Sequence, residues 1–149
     1  MSLSTDKAAV LDAAGLRAFL EEHYPRALDF PVTIGEREGS TLAVTLAVSE
    51  TMLRPGGTVS GPTLMTLADV AMYLLVLSEL GPVALAVTTS LHIDFLRRPL
   101  PRPVIARAEL LKLGRSLAVG RVVMYSEGDP EPIAHASLTY SIPPRPSPS

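Results

Sequence analysis

Asp69 is a carboxylate in the middle of an otherwise apolar stretch. From Gly61 to Leu77 the chain carries one charge in 17 positions. Taking a carboxylate out of water is costly unless something pairs with it or uses it, so Asp69 is the first candidate for chemistry. A group so placed can accept a proton or attack an electrophilic carbon. Helical spacing sets Met65 and Tyr73 at i−4 and i+4 from it, with Thr66 and Met72 at i−3 and i+3. The hydroxyl of Tyr73 or Thr66 is placed to orient the carboxylate or to bind an attacking water. The alternative for Tyr73 is a core residue with a satisfied hydroxyl.

Other chemistries find little support. Cysteine is absent, which excludes disulfides, a thiol nucleophile and thiolate metal sites, and fits a reducing compartment. His92 and His135 read as pleat residues with no second ligand cluster, so no metal site is expected. There is no phosphate-binding loop, dinucleotide fingerprint or Ser-His-Asp signature. A formal net charge of −2 gives no basic field for nucleic acid. The N-terminus lacks a basic segment followed by an apolar one, and the longest uninterrupted apolar run, Val70 to Leu77, is too short for a bilayer. The expectation is a soluble cytoplasmic protein with no membrane or nucleic-acid partner. Its 149 residues, 47% hydrophobic and 19% charged, suit one globular domain with one real core.

The elements that must position Asp69 follow from periodicity. Asp12 to Tyr24 carries Leu16, Phe19, Leu20 and Tyr24 at helical spacing, and Pro25 stops it. Phe30, Val32 and Ile34 alternate, as do Leu42, Val44, Leu46 and Val48, with Arg37-Glu38-Gly39-Ser40 as the turn between the two strands. Met52 to Val59 reads as a loop around Pro55-Gly56-Gly57. The apolar helix then runs from about Gly61 to Leu80, and Gly81-Pro82 ends it. In the next strand, Leu85, Val87, Thr89, Leu91, Ile93 and Phe95 are expected on one face, with Ala86, Thr88, Ser90, His92 and Asp94 on the other. Val104–Leu113, Leu117–Tyr125 and Ile133–Ser141 read as further strands joined at Gly114-Arg115 and Gly128-Asp129-Pro130.

The reading is therefore α+β: an antiparallel sheet wrapped around a long central helix that, being apolar on nearly all sides, is covered all round. The methionines read as gap-filling core. Residues 1–27 form an N-terminal segment with a short helix, of which 1–8 are loose. Residues 28–142 form the domain, and 143–149 a disordered Pro/Ser-rich tail.

The run from Arg54 to Asp69, followed by Ser90-Leu91-His92-Ile93-Asp94-Phe95-Leu96-Arg97-Arg98-Pro99, Gly114-Arg115 and Ile133 to Tyr140, resembles the hot-dog fold thioesterases of the phenylacetate-pathway (PaaI-like) type over about residues 28–142. Gly61 and Asp69 fall on the family's first glycine and acid. Three positions depart from its pattern: Ser60 stands for the histidine, Pro62 for the second glycine and Arg54 for the asparagine or glutamine. The resemblance thus carries fold and acyl-thioester binding over more firmly than catalytic competence.

It implies hydrolysis of a small or medium acyl-CoA, with coenzyme A as part of the substrate and no separate cofactor. Asp69 would be the general base or the nucleophile, and the Gly61 N–H, at a helix N-terminus, the oxyanion donor. Pro62 in the first turn is compatible with this, and Ser60 reads first as the helix N-cap. Arg54 is a candidate for an acyl carboxylate or the thioester oxygen, and Arg97, Arg98 and Arg115 for the coenzyme's phosphates. Gly61 and Asp69 are eight residues apart, about 12 Å along one straight helix, too far to flank one carbonyl. The expectation is a homodimer, or a dimer of dimers packed through sheet faces, in which Gly61 of one subunit meets Asp69 of the other. The alternative is a non-catalytic acyl-thioester binder. A hot-dog hydratase is disfavoured, because no histidine follows Asp69 until His92.

Overall fold

The computed structural model describes residues 10–144. Its elements are α1 (Ala13–His23), β1 (Val32–Ile34), β2 (Thr41–Leu46), β3 (Leu53–Arg54), β4 (Thr58–Val59), α2 (Gly61–Leu80), β5 (Val87–Phe95), β6 (Val104–Leu113), β7 (Leu117–Ser126) and β8 (Pro132–Ser141), with short 3-10 turns at Pro25–Asp29 and Glu50–Met52. Six strands form one antiparallel sheet in the order β1-β2-β6-β7-β8-β5. The strands following α2 thus place β5 at an edge, beyond β8. The pair β3–β4 is a separate hairpin inside the segment read as a loop. Its arms are two residues long, too short to show a period.

Local chemistry sets both helices. Asp12 Oδ1 accepts the Gly15 N–H at 2.8 Å and caps α1, which stops short of Pro25. Ser60 Oγ accepts the Thr63 N–H at 3.3 Å, Pro62 sits in the first turn of α2, and Gly81 at φ 88° takes the backbone out of the helix. Leu16, Phe19 and Leu20 of α1 enter the same core as α2 and the sheet. Residues 1–8, read as loose, lie outside the described residues, as does the tail from 145 onward.

Leu64, Leu67, Leu74, Leu75 and Leu77 of α2 are buried. Each contributes about 1.5–3 kcal/mol by leaving water. Facing them, the sheet presents small side chains: Ala106, Ala108, Ala118 and Ala136. Gly120 extends this flat floor, because a Cβ there would lie 2.6 Å from Met72 Sδ. By length and mean hydropathy (1.6) α2 resembles a membrane span, but 67% of that window is buried inside the fold, as a core helix is.

Two expectations need correction. First, α2 is not covered all round by its own chain. Pro62, Met65 and Thr66 are exposed and Asp69 and Val70 half-buried, one stripe at i, i+3, i+4, i+7 and i+8. Met65 is accordingly no core filler, whereas Met72 and Met124 are. Composition shows that a helix is apolar, but not whether its own chain supplies all the cover. Second, β5 does not alternate strictly. Its pairing with β8 slips between Thr88 and Ser90, so Thr89 is an extra, bulged residue. Buried Ala86 and half-buried Thr88 share the inner face ahead of the bulge, and Leu91 and Ile93 take it over beyond it. Leu85, at 77% exposure, and Val87, at 56%, turn outward.

One buried ion pair ties the edge of the fold to α2. Arg37, from the β1–β2 connection, donates to the Glu79 carboxylate in the last helical turn, and both side chains are almost wholly enclosed. A carboxylate at the negative end of a helix is disfavoured by the dipole, and the guanidinium offsets this.

Candidate active site

Asp69 is half-buried at the edge of a cavity of about 520 Å³. Two hydroxyls converge on one of its oxygens: Thr88 Oγ1 donates to Oδ1 at 2.5 Å, and Tyr140 Oη donates to the same atom at 2.7 Å. The Asp69 carbonyl is a second acceptor for Tyr140, at 3.0 Å. Thr88 reaches Asp69 because the bulge rotates it inward, and Tyr140 because it stands on the helix-facing side of β8. Of four tyrosines and three phenylalanines in the chain, Tyr24, Phe30, Tyr73 and Tyr140 line this cavity, giving it a largely apolar wall. Tyr24 and Tyr73 meet edge to face, with centroids 6.2 Å apart. Arg26 also lines it.

Burial pushes the Tyr140 hydroxyl well above the ordinary tyrosine range. The Thr88 hydrogen bond opposes this, while the Asp69 hydrogen bond and charge add to it. Tyr73 is also raised, by burial and then by Tyr24. Its hydroxyl donates to the Ala84 carbonyl at 3.1 Å, and not to Asp69. Thr66 lines the same cavity but gives its hydroxyl to the Pro62 carbonyl at 3.0 Å.

Gly61 lies elsewhere. It opens onto a second cavity, of about 500 Å³, with Arg54, Arg97, Arg98 and Phe95 in the wall. In the first turn of α2 its N–H has no intrahelical acceptor. A Cβ there would lie 3.3 Å from the Phe95 ring, so glycine keeps the approach to this donor open. Arg97 has Glu131 at 3.5 Å and Arg98 the Gly56 carbonyl at 3.4 Å. Both are exposed, and such pairs hold weakly. Ser60 acts as the cap: its hydroxyl also meets Thr63 Oγ1 at 2.7 Å. Pro62 is exposed on the open stripe.

One protomer therefore brings Asp69, Thr66 and Tyr73 together in one cavity, and Gly61, Arg54, Arg97 and Arg98 in another. Arg115 lines neither. It sits in the turn joining β6 to β7, at the end of the sheet where β5 begins, whereas Arg97 and Arg98 follow the other end of β5. Sequence reasoning missed Thr88 and Tyr140. A tyrosine on the inward side of a strand otherwise bearing Ala134, Ala136 and Leu138 was a usable signal, because its buried hydroxyl needs a partner and Asp69 is the polar group on the facing helix. Among the described residues no three His, Cys, Asp or Glu side chains converge as metal ligands.

The sequence profile of the thioesterase superfamily matches residues 56–133, a stretch that includes Gly61, Asp69, Thr88 and the three arginine positions 97, 98 and 115. A candidate thioesterase from Silicibacter sp. TM1040 is 48% identical, with 91% of this chain and 94% of that one aligned and a TM-score of 0.83. The phenylacetic acid degradation protein PaaI of Thermus thermophilus, solved as a mutant, is 28% identical over 80% of this chain and 99% of its own, with a TM-score of 0.68. The Escherichia coli PaaI protein shares the fold at 22% identity and a TM-score of 0.75, over 88% of this chain and 93% of its own. No curated protein sequence matches significantly. With its long helix against a six-stranded antiparallel sheet, this chain has the hot-dog fold and belongs to the thioesterase superfamily.

Proposed function

We propose that the protein hydrolyses a small or medium acyl-CoA thioester at sites shared between two copies of the chain. The observation that carries this reading is the placement of Asp69: a carboxylate held by two hydroxyls in a mostly apolar cavity of acyl-group size. Asp69 serves as general base for water or as the nucleophile that attacks the acyl carbon. The thiolate leaves without needing a strong acid. The oxyanion is held by the Gly61 N–H of the partner subunit, aided by the positive end of α2. Arg54, Arg97 and Arg98 beside Gly61 provide a cationic wall suited to the coenzyme's phosphates. The reaction needs no metal or cofactor.

Sharing between subunits is supported by what one chain leaves open. The uncovered stripe of α2 runs through Met65, which is 42% exposed, to Asp69, and β5 is an edge strand that begins and ends on exposed Val87 and Phe95, with exposed Leu85 and Leu96 beside them. An apolar helix stripe and an apolar strand edge are a liability for an isolated chain and suit burial against a second copy. The non-catalytic reading draws on Ser60, whose hydroxyl is engaged in capping where the family's pattern has histidine.

Coexpression of Asp69→Asn with Gly61→Val chains tests the arrangement. Each homodimer lacks an essential group at both sites, whereas a mixed dimer has one intact site. With random pairing, release of free coenzyme A recovers to about a quarter of the wild-type rate. If mixing recovers nothing while wild type is active, the shared site is wrong. Tight acyl-CoA binding without turnover by wild type would favour the non-catalytic reading.

A further inference from the structure

Tyr140 is contributed by the last strand of the sheet, 71 residues along the chain from the carboxylate it touches. Its ring is almost wholly buried and packs at a tilt against Tyr73, with centroids 6.3 Å apart. A phenol has one proton to donate. Of its two acceptors, the carboxylate oxygen is nearer (2.7 Å) and charged, the carbonyl farther (3.0 Å) and neutral, so the proton goes to Oδ1. Thr88 donates to the same atom from the edge strand. Oδ1 is thereby held from two strands at once, while Oδ2 receives neither hydroxyl.

A carboxylate on a long helix otherwise rotates about χ2, presenting either oxygen or neither. Two donors on one oxygen remove that freedom and hold the other at a fixed place. A phenol keeps its proton through the neutral range, and burial of Tyr140 only extends this, so the donor does not switch off with pH as a histidine would.

We propose, on the basis of the thioesterase reading above, that Tyr140 is a positioning residue for Asp69: together with Thr88 it pins Oδ1, so that Oδ2 is the oxygen that meets the attacking water or the acyl carbon. Tyr140 itself touches no reacting atom. Its ring is part of the cavity wall, but the effect of its hydroxyl is on turnover and not on substrate binding. Misplacing a reacting group by about an ångström costs on the order of a hundredfold in rate, which sets the scale.

The test compares full-length wild type with Tyr140→Phe, Thr88→Val and Thr88→Ser on a panel of acyl-CoA esters, with free thiol as the readout and thermal unfolding as the folding control. Tyr140→Phe is expected to lower kcat about ten- to a hundredfold with KM within about twofold. Thr88→Val lowers kcat in the same manner, and Thr88→Ser, which keeps a hydroxyl, loses less than Thr88→Val. If wild type is active and folded Tyr140→Phe keeps its kcat, or loses kcat/KM only through KM, the inference is overturned and the thioesterase reading stands. Should Tyr140→Phe not fold, the Thr88 pair decides: equal turnover in Thr88→Val and wild type overturns the pinning of Oδ1. A wild-type protein inert towards the whole panel overturns the thioesterase reading, and the inference with it.

Discussion

The two cavities both take part of their wall from α2, yet one sets a helix N-terminus among three arginines and the other a carboxylate among four aromatic rings. The first suits the anionic, water-loving end of a thioester and the second its apolar acyl end. Neither holds both Gly61 and Asp69, because a helix rising about 1.5 Å per residue keeps them apart. The length of one helix separates the Gly61 amide from the Asp69 carboxylate within a chain, and under the proposed function pairing of two chains is what would bring them together.

The largest expected effect lies in the Asp69 cavity. Asp69→Asn keeps the shape but removes the base or nucleophile, and kcat should fall by about 10²–10⁴ in a free-thiol assay. An unchanged rate would reduce the carboxylate to a structural role. In the other cavity, Gly61→Val places a side chain against Phe95 and over the N–H. The loss should be on the order of 10²–10³ in kcat, the scale of one oxyanion donor. If that variant raises KM alone, Gly61 is a docking position and not part of the reaction.

Smaller effects sharpen the division of labour. Arg97→Ala should raise KM for coenzyme A esters a few-fold, increasingly so at low salt, and leave KM for phosphate-free pantetheine esters unmoved. Equal effects on both substrates would place the phosphates elsewhere. The smallest effect concerns stability. Tyr140 is raised in the folded chain, so above its ordinary value of 10.0 the unfolded chain loses a proton that the folded chain keeps. The unfolded state then binds fewer protons, and stability falls as pH rises through and beyond that value. Denaturant midpoints compared between pH 8 and pH 11 should show a shallower alkaline loss in Tyr140→Phe than in wild type.

Much of the fold was legible because its signals are local. The Ser60 cap and the Gly81 stop bracket α2 at the residues expected, and the last three strands fall within a residue or so of their alternating patterns. Asp69 stood out as a charge on an apolar helix and Gly61 through the family resemblance, and the structure places each of them in the wall of a cavity. Thr88 was set opposite Leu91 and Ile93, with which it shares a face, because strict alternation has no place for an extra residue. Tyr140 went unnoticed because its partner lies 71 positions away and no local pattern links them. The open stripe of α2 was misread because an apolar composition does not say which side chains the chain's own sheet covers.

The extra residue at Thr89 also bears on how this site changes over generations. Upstream of it the strand turns Thr88 towards the helix, and downstream it turns Leu91 and Ile93 the same way. Because Thr89 has no partner on β8, losing that one residue would leave a regular strand in which Thr88, Leu91 and Ile93 still face the helix. The hydroxyl beside the carboxylate would stay where it is. The bulge is thus slack in the chain, and relatives one residue shorter at this point should keep the same inward-facing set.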